Sequence, residues 1–361
     1  MKRVKLGEIC QIVSGSTPKT SIDEYWDGDL DWITPAELTD DSYIVTESAR
    51  KITELGVKKT GLKPFPRGTV ILSSRAPIGK VAIAGKEMFC NQGFKNLICS
   101  EVILPEYLYW FLKGNTEHLN SLGRGATFKE ISKKIVSDIE INVPDIGTQK
   151  NAVDILGRCW AIIKKRKEES EKFDELIKAR FVEMFGDQGK NQFSFTVGTL
   201  KDVADIYLGL THTPAYVNDG RPFISVRDIS SGVIDFSNCH YITEEEFQSL
   251  PTGARPKEND LLFCRVGTIG RPVIIPKGMP EFGSFVSVGF LRKKANVKNE
   301  YLKAWMEDPY FMKQVYDNVA GASQINLNTG WLKNFRILIP PIEIQEKFVR
   351  FVKQVDKSKV A

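Results

Sequence analysis

The sequence predicts an α+β protein built from two homologous globular copies, each mostly β at its centre, with a long helix between them. Two observations predict this class. An ordered series of motifs occurs twice, with an offset of 190 to 196 residues that persists throughout. One uninterrupted stretch of helical periodicity lies between the two series. A repeat of this length indicates a domain duplication, because the repeats of solenoid proteins are about 20–50 residues long.

The stretch between the copies, residues 146–185, predicts a single amphipathic helix. Its apolar residues are three and four positions apart, which places them on one helical face. The segment KKRKEESEK at 164–172 has no apolar side chain, so we expect it to be solvated or to face a charged partner. Gly186 is expected to end the helix, whose length of roughly 60 Å is that of a spacer. The apolar face consists of Val153, Leu156, Trp160, Ile163, Phe173, Ile177, Phe181 and Met184.

Short apolar runs bounded by glycines predict strands and hairpins within each copy. The clearest example is VILSSRAPIGKVAI at Val70–Ile83, which matches LLFCRVGTIGRPVII at Leu261–Ile275. In the first copy we also predict a helix from about Pro105 to Lys113, a helical stretch near Phe128 to Ile135 and a strand from Ile139 to Val143. The predicted order of the chain is globule, helix, globule, helix.

The duplication gives four predicted segments. Residues 1–145 and 187–341 are the two globular domains, 146–186 is the long helix, and 342–361 begins a second helix whose apolar face includes Phe348 and Val352. The second helix matches only about half of the first before the sequence ends. We therefore expect the distal face of the first helix to be exposed, so that the chain self-associates or depends on another protein. That face consists of Phe173, Ile177, Phe181 and Met184.

Composition excludes several classes of protein without selecting a function. The chain is 42% hydrophobic and 26% charged, as is ordinary for two soluble domains, and its net charge of +5 gives no strong global field. The six cysteines and three histidines are scattered without a CxxC pair, so no metal site is expected. The sequence has neither an apolar signal segment nor a run of about 18 apolar residues, and we expect a cytoplasmic protein.

Motifs for enzymatic chemistry are incomplete. Ile78–Val81 lacks the upstream glycine and the hydroxyl residue of a phosphate-binding loop. Asp308–Phe311 lacks the second proline of the loop expected in an amino-methyltransferase that acts on nucleic acids, and we interpret it as a helix start. We therefore assign no catalytic residue.

Polar and basic loop residues in both copies are candidates for contacting DNA. Arg75 and Arg265 lie inside the two glycine-containing turns, and Lys80 and Arg271 end them. A rigidly held arginine can present a bidentate fork to guanine or phosphate, whereas lysine supplies a point charge. The alternative is that about half of the candidates only satisfy local backbone groups. The other candidates are Ser16, Thr17, Thr34, Asn91 and Gln92 in the first copy and Thr211, His212, Ser225, Arg227 and Gln324 in the second.

Four kinds of motif occur together in this chain. Openings of the form LGEIxxIxxGxTP lie at Leu6–Pro18 and Leu200–Pro214, and the turns SSRAPIGKVAI and CRVGTIGRPVII follow. INVPDIGTQ and ILIPPIEIQ mark the two transitions from strand to helix, and FDELIKARFVEMFGD at Phe173–Asp187 ends the long helix. In this combination the chain resembles the DNA specificity (S) subunits of type I restriction-modification systems, over nearly its whole length.

The resemblance implies two target recognition domains separated by long antiparallel helices that form a coiled coil. Each domain would read one half of a split double-stranded DNA target, and the helices would set the distance between the halves. The S subunit itself would perform no reaction. Members of the family bind two methyltransferase (M) subunits and also restriction (R) subunits, so S-adenosylmethionine, ATP and Mg²⁺ are expected only in those partners.

Three other interpretations of the sequence are open. A coiled-coil adaptor without DNA contact predicts no salt-dependent DNA affinity, whereas a reader that contacts several phosphates must lose affinity steeply as salt rises. A truncated or silent S variant would not read DNA independently. A fragment detached from a single-chain restriction and methylation enzyme would be excluded by neighbouring genes for separate M and R subunits.

Overall fold

The computed structural model describes residues 2–125, 129–319 and 325–360. The chain divides into two compact units, Met1–Lys165 (unit 1) and Arg166–Ala361 (unit 2), and the division falls inside the long helix. Each unit contains one of the two copies. The domain boundaries predicted between residues 145 and 146 and between residues 186 and 187 stay a prediction.

The described residues of unit 1 form three sheets with helices packed against them. Its strands are β1 (Lys2–Lys5), β2 (Cys10–Val13), β3 (Trp26–Ile33), β4 (Ile44–Val45), β5 (Lys51–Ile52), β6 (Val70–Leu72), β7 (Val81–Ala84), β8 (Phe89–Cys90), β9 (Asn96–Cys99) and β10 (Glu140–Val143). Its helices are α1 (Leu6–Ile9), α2 (Glu54–Thr60), α3 (Pro105–Gly114), α4 (Thr116–Ser121), α5 (Lys133–Asp138) and the first part of α6 (Ile146–Phe185).

The strands of unit 1 form sheets in the orders β2-β9-β6-β7-β4, β5-β3-β8 and β1-β10. Strands β6 and β7 are the predicted hairpin, and they pair antiparallel with Val70 opposite Ile83 and Leu72 opposite Val81. Every residue of these two strands is buried, which explains their continuous apolar sequence. The predictions of α3 and β10 are confirmed, whereas α5 begins only at Lys133, later than the predicted helical stretch.

Unit 2 repeats this architecture. Its strands are β11 (Thr196–Thr199), β12 (Ala204–Leu208), β13 (Arg221–Ile224), β14 (His240–Ile242), β15 (Leu261–Cys264), β16 (Gly270–Ile274), β17 (Gly283–Ser284), β18 (Val288–Lys293) and β19 (Arg336–Ile339). Its helices after α6 are α7 (Leu200–Val203), α8 (Glu244–Ser249), α9 (Asn299–Glu307), α10 (Pro309–Asn318), α11 (Thr329–Leu332) and α12 (Ile342–Val360).

The duplication predicted from the sequence is therefore visible in the sheets. The orders β12-β18-β15-β16, β14-β13-β17 and β11-β19 reproduce those of unit 1, in which β4 adds a fifth strand. The two units are two copies of one mixed α/β domain, which confirms the predicted fold class.

Helix α6 is a single helix of 40 residues, as predicted, and it continues through Gly157. Gly186 follows it with a φ of +69°, a left-handed conformation that favours glycine, and its amide donates to the carbonyl of Val182 at 2.8 Å. None of the helices that the structure describes is long and apolar enough to cross a membrane.

The predicted exposure of the distal face of α6 is wrong. Phe181 is only 2% exposed, and its ring lies 5.5 Å from that of Tyr301 on α9 and 5.7 Å from that of Phe348 on α12. Ile177 and Met184 pack half-buried against the same core, Phe173 is also half-buried, and Val352 contributes from α12. Elements more than a hundred residues further along the chain thus cover this face within unit 2.

Helix α12 runs antiparallel to the distal part of α6. Near the end of α12, the Lys359 Nζ lies 2.6 Å from a carboxylate oxygen of Asp174 on α6. Near the start of α12, the ring of Phe348 packs against that of Phe185 on α6. Arg180, between these positions, lies over the ring of Phe351 at 5.6 Å. The order of the contacts fixes the antiparallel direction.

A continuous exposed apolar stripe lies instead on the first half of α6. We call the residues Ile155, Leu156, Cys159, Ile162 and Ile163 the proximal stripe. They occupy one helical face, and the four aliphatic members are between 42% and 62% exposed. The neighbouring Val153 and Trp160 are half-buried, and Trp160 packs edge-on against Trp110 of α3 at 5.9 Å.

A buried glutamine joins each copy to the helix that follows it. The Gln149 Nε2 donates to the carbonyls of Val102 and Pro144, and its Oε1 accepts from the amide of Leu104, all at 2.9 Å. In unit 2, Gln345 makes the same set of bonds with Asn296, Pro340 and Lys298 at 3.2, 2.8 and 2.9 Å. Because both side chains are fully buried and fully hydrogen-bonded, the start of each helix is fixed to its own copy.

Candidate nucleic-acid interface

Four loops of unit 1 converge through backbone hydrogen bonds. The amide of Ser16 donates to the carbonyl of Cys90 at 3.0 Å, and that of Asn91 donates to Ile33 at 3.2 Å. The amide of Ser74 donates to the carbonyl of Gly93 at 2.8 Å, which places the turn after β6 beside the other three loops. The structure therefore brings together the predicted candidates of the first copy, whose loops span 14–18, 33–37, 73–80 and 90–95.

The side chains in this cluster do different things. The Thr34 hydroxyl and amide both bond to the Glu37 carboxylate, at 2.9 and 2.7 Å, so Thr34 caps its own turn. Asn91 accepts from the amide of Gly93 at 2.9 Å and closes its own loop. The Thr17 hydroxyl donates to Gln92 at 2.6 Å in an exposed pair. The alternative role of satisfying local groups thus applies to Thr34 and Asn91, whereas Thr17 and Gln92 present polar atoms to solvent.

An ion network that the sequence analysis missed holds the turn after β6. The Arg75 Nε lies 2.9 Å from one oxygen of Glu130, and the Lys95 Nζ lies 3.1 Å from the other. Lys95 is only 7% exposed and also donates to the hydroxyl of Ser74 at 3.2 Å. Lys80 is a predicted candidate for contacting DNA, but its ammonium group donates a hydrogen bond to the backbone carbonyl of Leu38 in the same unit.

The network changes how Glu130 titrates. Burial favours the neutral carboxyl, but the hydrogen bonds and charges of Lys95 and Arg75 outweigh it and lower the pKa of Glu130 below its ordinary value of 4.5. A carboxyl with a lowered folded-state pKa stabilises the fold above its unfolded pKa, and this contribution disappears as the pH falls through the folded value.

Glu130→Gln is expected to destabilise unit 1 by about 1–2 kcal/mol at pH 7, because it leaves the buried Lys95 ammonium without its counter-charge. The difference from wild type should begin to shrink below about pH 4.5, where the carboxyl of the unfolded chain takes up a proton, and should shrink further as the pH falls through the lower pKa of the folded state. Urea unfolding between pH 7 and pH 3.5 measures this difference. Glu117→Gln, at an exposed position, is the matched control, and a difference independent of pH would contradict the assignment.

The loops of unit 2 converge in the same way. The amide of Val286 donates to Leu210 and that of Phe285 to Ile224, both at 2.8 Å. The amide of Arg265 donates to the carbonyl of Ser287 at 3.0 Å, and the Ser287 hydroxyl accepts from Val226 at 3.2 Å. The segment 285–287 therefore takes the place of residues 91–93, although its sequence is not similar.

The candidates of the second copy are again of two kinds. Ser225 caps its turn through Asp228, at 2.7 and 2.9 Å, and Arg227 bonds to the carbonyl of Asn238 at 3.2 Å. Arg265 directs its guanidinium at Leu327, Val286 and Asn326. Thr211, His212 and Arg271 are exposed, whereas Gln324 lies outside the described residues.

Hydroxyl, amide and guanidinium groups occur in both clusters. Groups of this kind donate to and accept from base edges and phosphates. Within the residues that the structure describes, histidine, cysteine, aspartate and glutamate side chains form no group of three or more that could hold a metal ion.

Two polar loop clusters on a duplicated frame define a protein with two similar recognition modules whose side chains differ. The chain belongs to the family of the type I restriction modification DNA specificity domain, whose family model matches residues 1–172 and 194–361.

Individual relatives agree with this assignment. The chain is 29% identical over 373 residues to the type I restriction enzyme MjaIX specificity subunit of Methanocaldococcus jannaschii, covering 95% of this chain and 84% of the relative. It is 21% identical over 377 residues to the MjaVIII specificity subunit of the same organism, covering 98% and 85%. The crystal structure of a type I restriction-modification S subunit from M. genitalium matches with a TM-score of 0.54 and 13% identity, covering 99% of this chain and 90% of that chain, which shows a common fold.

Proposed function

We propose that this chain is the DNA-recognition subunit of a type I restriction-modification complex and reads a bipartite target, one half with each unit. The observation that carries the proposal is that the same loops converge in both units but carry different side chains. In unit 1 Arg75 faces the Glu130 carboxylate, whereas in unit 2 an arginine one position earlier in the turn, Arg265, faces the Asn326 amide. Residues 91–93 are replaced by Phe285, Val286 and Ser287. Such a frame supports the reading of two different half-sites.

The helices supply the second part of the proposal. Helix α6 carries the exposed proximal stripe, which offers an apolar surface for methyltransferase subunits. Two such subunits would bind, and restriction subunits would join them. Methylation and ATP-dependent cleavage would take place in those partners, which would bind S-adenosylmethionine, ATP and Mg²⁺.

Sequencing of methylated adenines in DNA from cells that express this chain with its neighbouring methyltransferase subunit tests the proposal. The expected result is a bipartite methylated motif. Exchange of residues 1–145 for those of a relative should change one half of the motif, and exchange of residues 187–341 should change the other half.

Three outcomes would contradict the proposal. Unmethylated DNA despite a formed complex would favour a silent variant, and failure to form any complex would favour the adaptor. Motifs that stay the same in both exchanges would show that sequence is read elsewhere.

A further inference from the structure

The guanidinium of Arg265 is occupied by three acceptors within unit 2. Its Nε donates to the carbonyl of Leu327 at 3.1 Å, one Nη donates to the carbonyl of Val286 at 2.7 Å, and the other donates to the Asn326 Oδ1 at 3.3 Å. Burial lowers the pKa of Arg265, as expected for a half-buried cation. Its fork therefore points into the protein and joins three separate segments of the chain.

Unit 1 connects the same two segments through an arginine one position later. The amide of Ser74 donates to Gly93 as that of Arg265 donates to Ser287, so Arg265 corresponds to Ser74, whereas Asn326 corresponds to Glu130. The Arg75 Nε lies 2.9 Å from Glu130, and backbone bridges join Arg75 to Glu130 and Val266 to Asn326. Both copies therefore connect the glycine turn to the segment before the last strand, through an ion pair in unit 1 and a charge–amide bond in unit 2.

From this common geometry we infer that Arg265 is a positioning residue: it fixes the segment around Asn326 against the segment around Val286, so that other residues of these loops read the bases. The inference rests on the proposed function, because it concerns how the second half-site is recognised. It replaces the expectation that Arg265 itself contacts DNA.

Two substitutions test the geometry of the connection. Arg265→Lys keeps the charge but cannot reach three acceptors, and Asn326→Ala removes one of them. Each variant should reduce the discrimination between the correct second half-site and the same site with one base changed. We expect at least about a tenfold reduction for Arg265→Lys, since hydrogen bonds to a charged group are lost. Arg255→Lys in the same unit, outside the loop cluster, is the matched control.

Asn326→Asp separates positioning from direct contact. Aspartate has the shape of asparagine and accepts from Arg265 just as Glu130 accepts from Arg75, so positioning predicts discrimination within about twofold of wild type. If Arg265 instead contacted DNA, the new carboxylate would compete for its guanidinium, and discrimination would fall as it does in Arg265→Lys. Repulsion between the new carboxylate and the DNA phosphates does not depend on base sequence, so it weakens binding to the matched and the altered site equally. The ratio of the two affinities is therefore unaffected by it.

The measurement is competition binding by the complete complex, with the half-site read by unit 1 as internal reference. Loss in Arg265→Lys and Asn326→Ala, together with retention in Asn326→Asp and at the first half-site, is the expected result. Loss in Asn326→Asp, or retention in Arg265→Lys, would overturn the inference. Failure of the proposed function is distinguishable, because the wild-type complex would then discriminate at neither half-site.

Discussion

Replacement of Phe181 by alanine is expected to lower the free energy of unfolding of unit 2 by about 3–5 kcal/mol, the usual effect of removing a buried phenyl ring. The ring is 2% exposed and lies 5.1 to 5.7 Å from those of Phe185, Tyr301 and Phe348. These neighbours belong to three different helices, so they cannot move together to fill the space without losing contacts elsewhere.

Urea unfolding of the full chain, with hydrogen exchange to separate the two units, measures the effect of Phe181→Ala. Protection should fall throughout unit 2 and stay unchanged in the sheets of unit 1. Val182→Ala is the matched control, because Val182 is the next residue on the helix and is 53% exposed. Its substitution should change stability by no more than about 0.5 kcal/mol. Equal effects of the two substitutions would show that α9 and α12 do not cover the distal face of α6.

The double substitution Ile155→Asp with Ile162→Asp is expected to prevent the methyltransferase subunit from co-purifying with this chain. The two residues are two turns apart in the proximal stripe and are 61% and 62% exposed. If a partner covers the stripe, each aspartate places an unpaired charge in an apolar interface. We expect affinity for the partner to fall at least about a hundredfold, because central apolar contacts contribute most of the binding energy.

The stability of the isolated chain provides the control for this double substitution. Exposed residues on a helix make few contacts, so the unfolding midpoint should stay close to that of wild type. Val102→Asp with Val233→Asp, at loop positions that are 51% and 61% exposed, is the matched pair and should leave the partner bound. Retention of the partner by the Ile155 and Ile162 variant would exclude the stripe as its binding surface.

The sequence predicts those features that depend on neighbouring residues. The three- and four-residue spacing of apolar side chains predicts the whole of α6, and the glycine-bounded runs predict the hairpin of β6 and β7. The duplication predicts the matching sheets. In each case the signal lies within a short window or in a direct comparison of the copies.

Features that depend on distant residues could not be predicted in this way. Phe181 has the same helical periodicity as Ile163, yet Phe181 is buried and Ile163 is 59% exposed, because only the distal part of α6 meets α9 and α12. Arg265 binds mainly backbone carbonyls, which leave no trace in the residue types. A signal for Asn326 did exist, since it occupies the position of Glu130 in the other copy.

The buried glutamines Gln149 and Gln345 give both copies the same joint to the helix that follows, which is compatible with genetic exchange of a whole copy. Each glutamine bonds only to its own copy and to the proline before its helix, at the same relative positions in both. If recombination replaces one copy up to the residue before the helix, the glutamine of the retained helix can therefore form the same hydrogen bonds with the new copy. Since the bonded atoms of the copy are backbone amides and carbonyls, a newly acquired copy can keep this joint while every base-reading side chain changes.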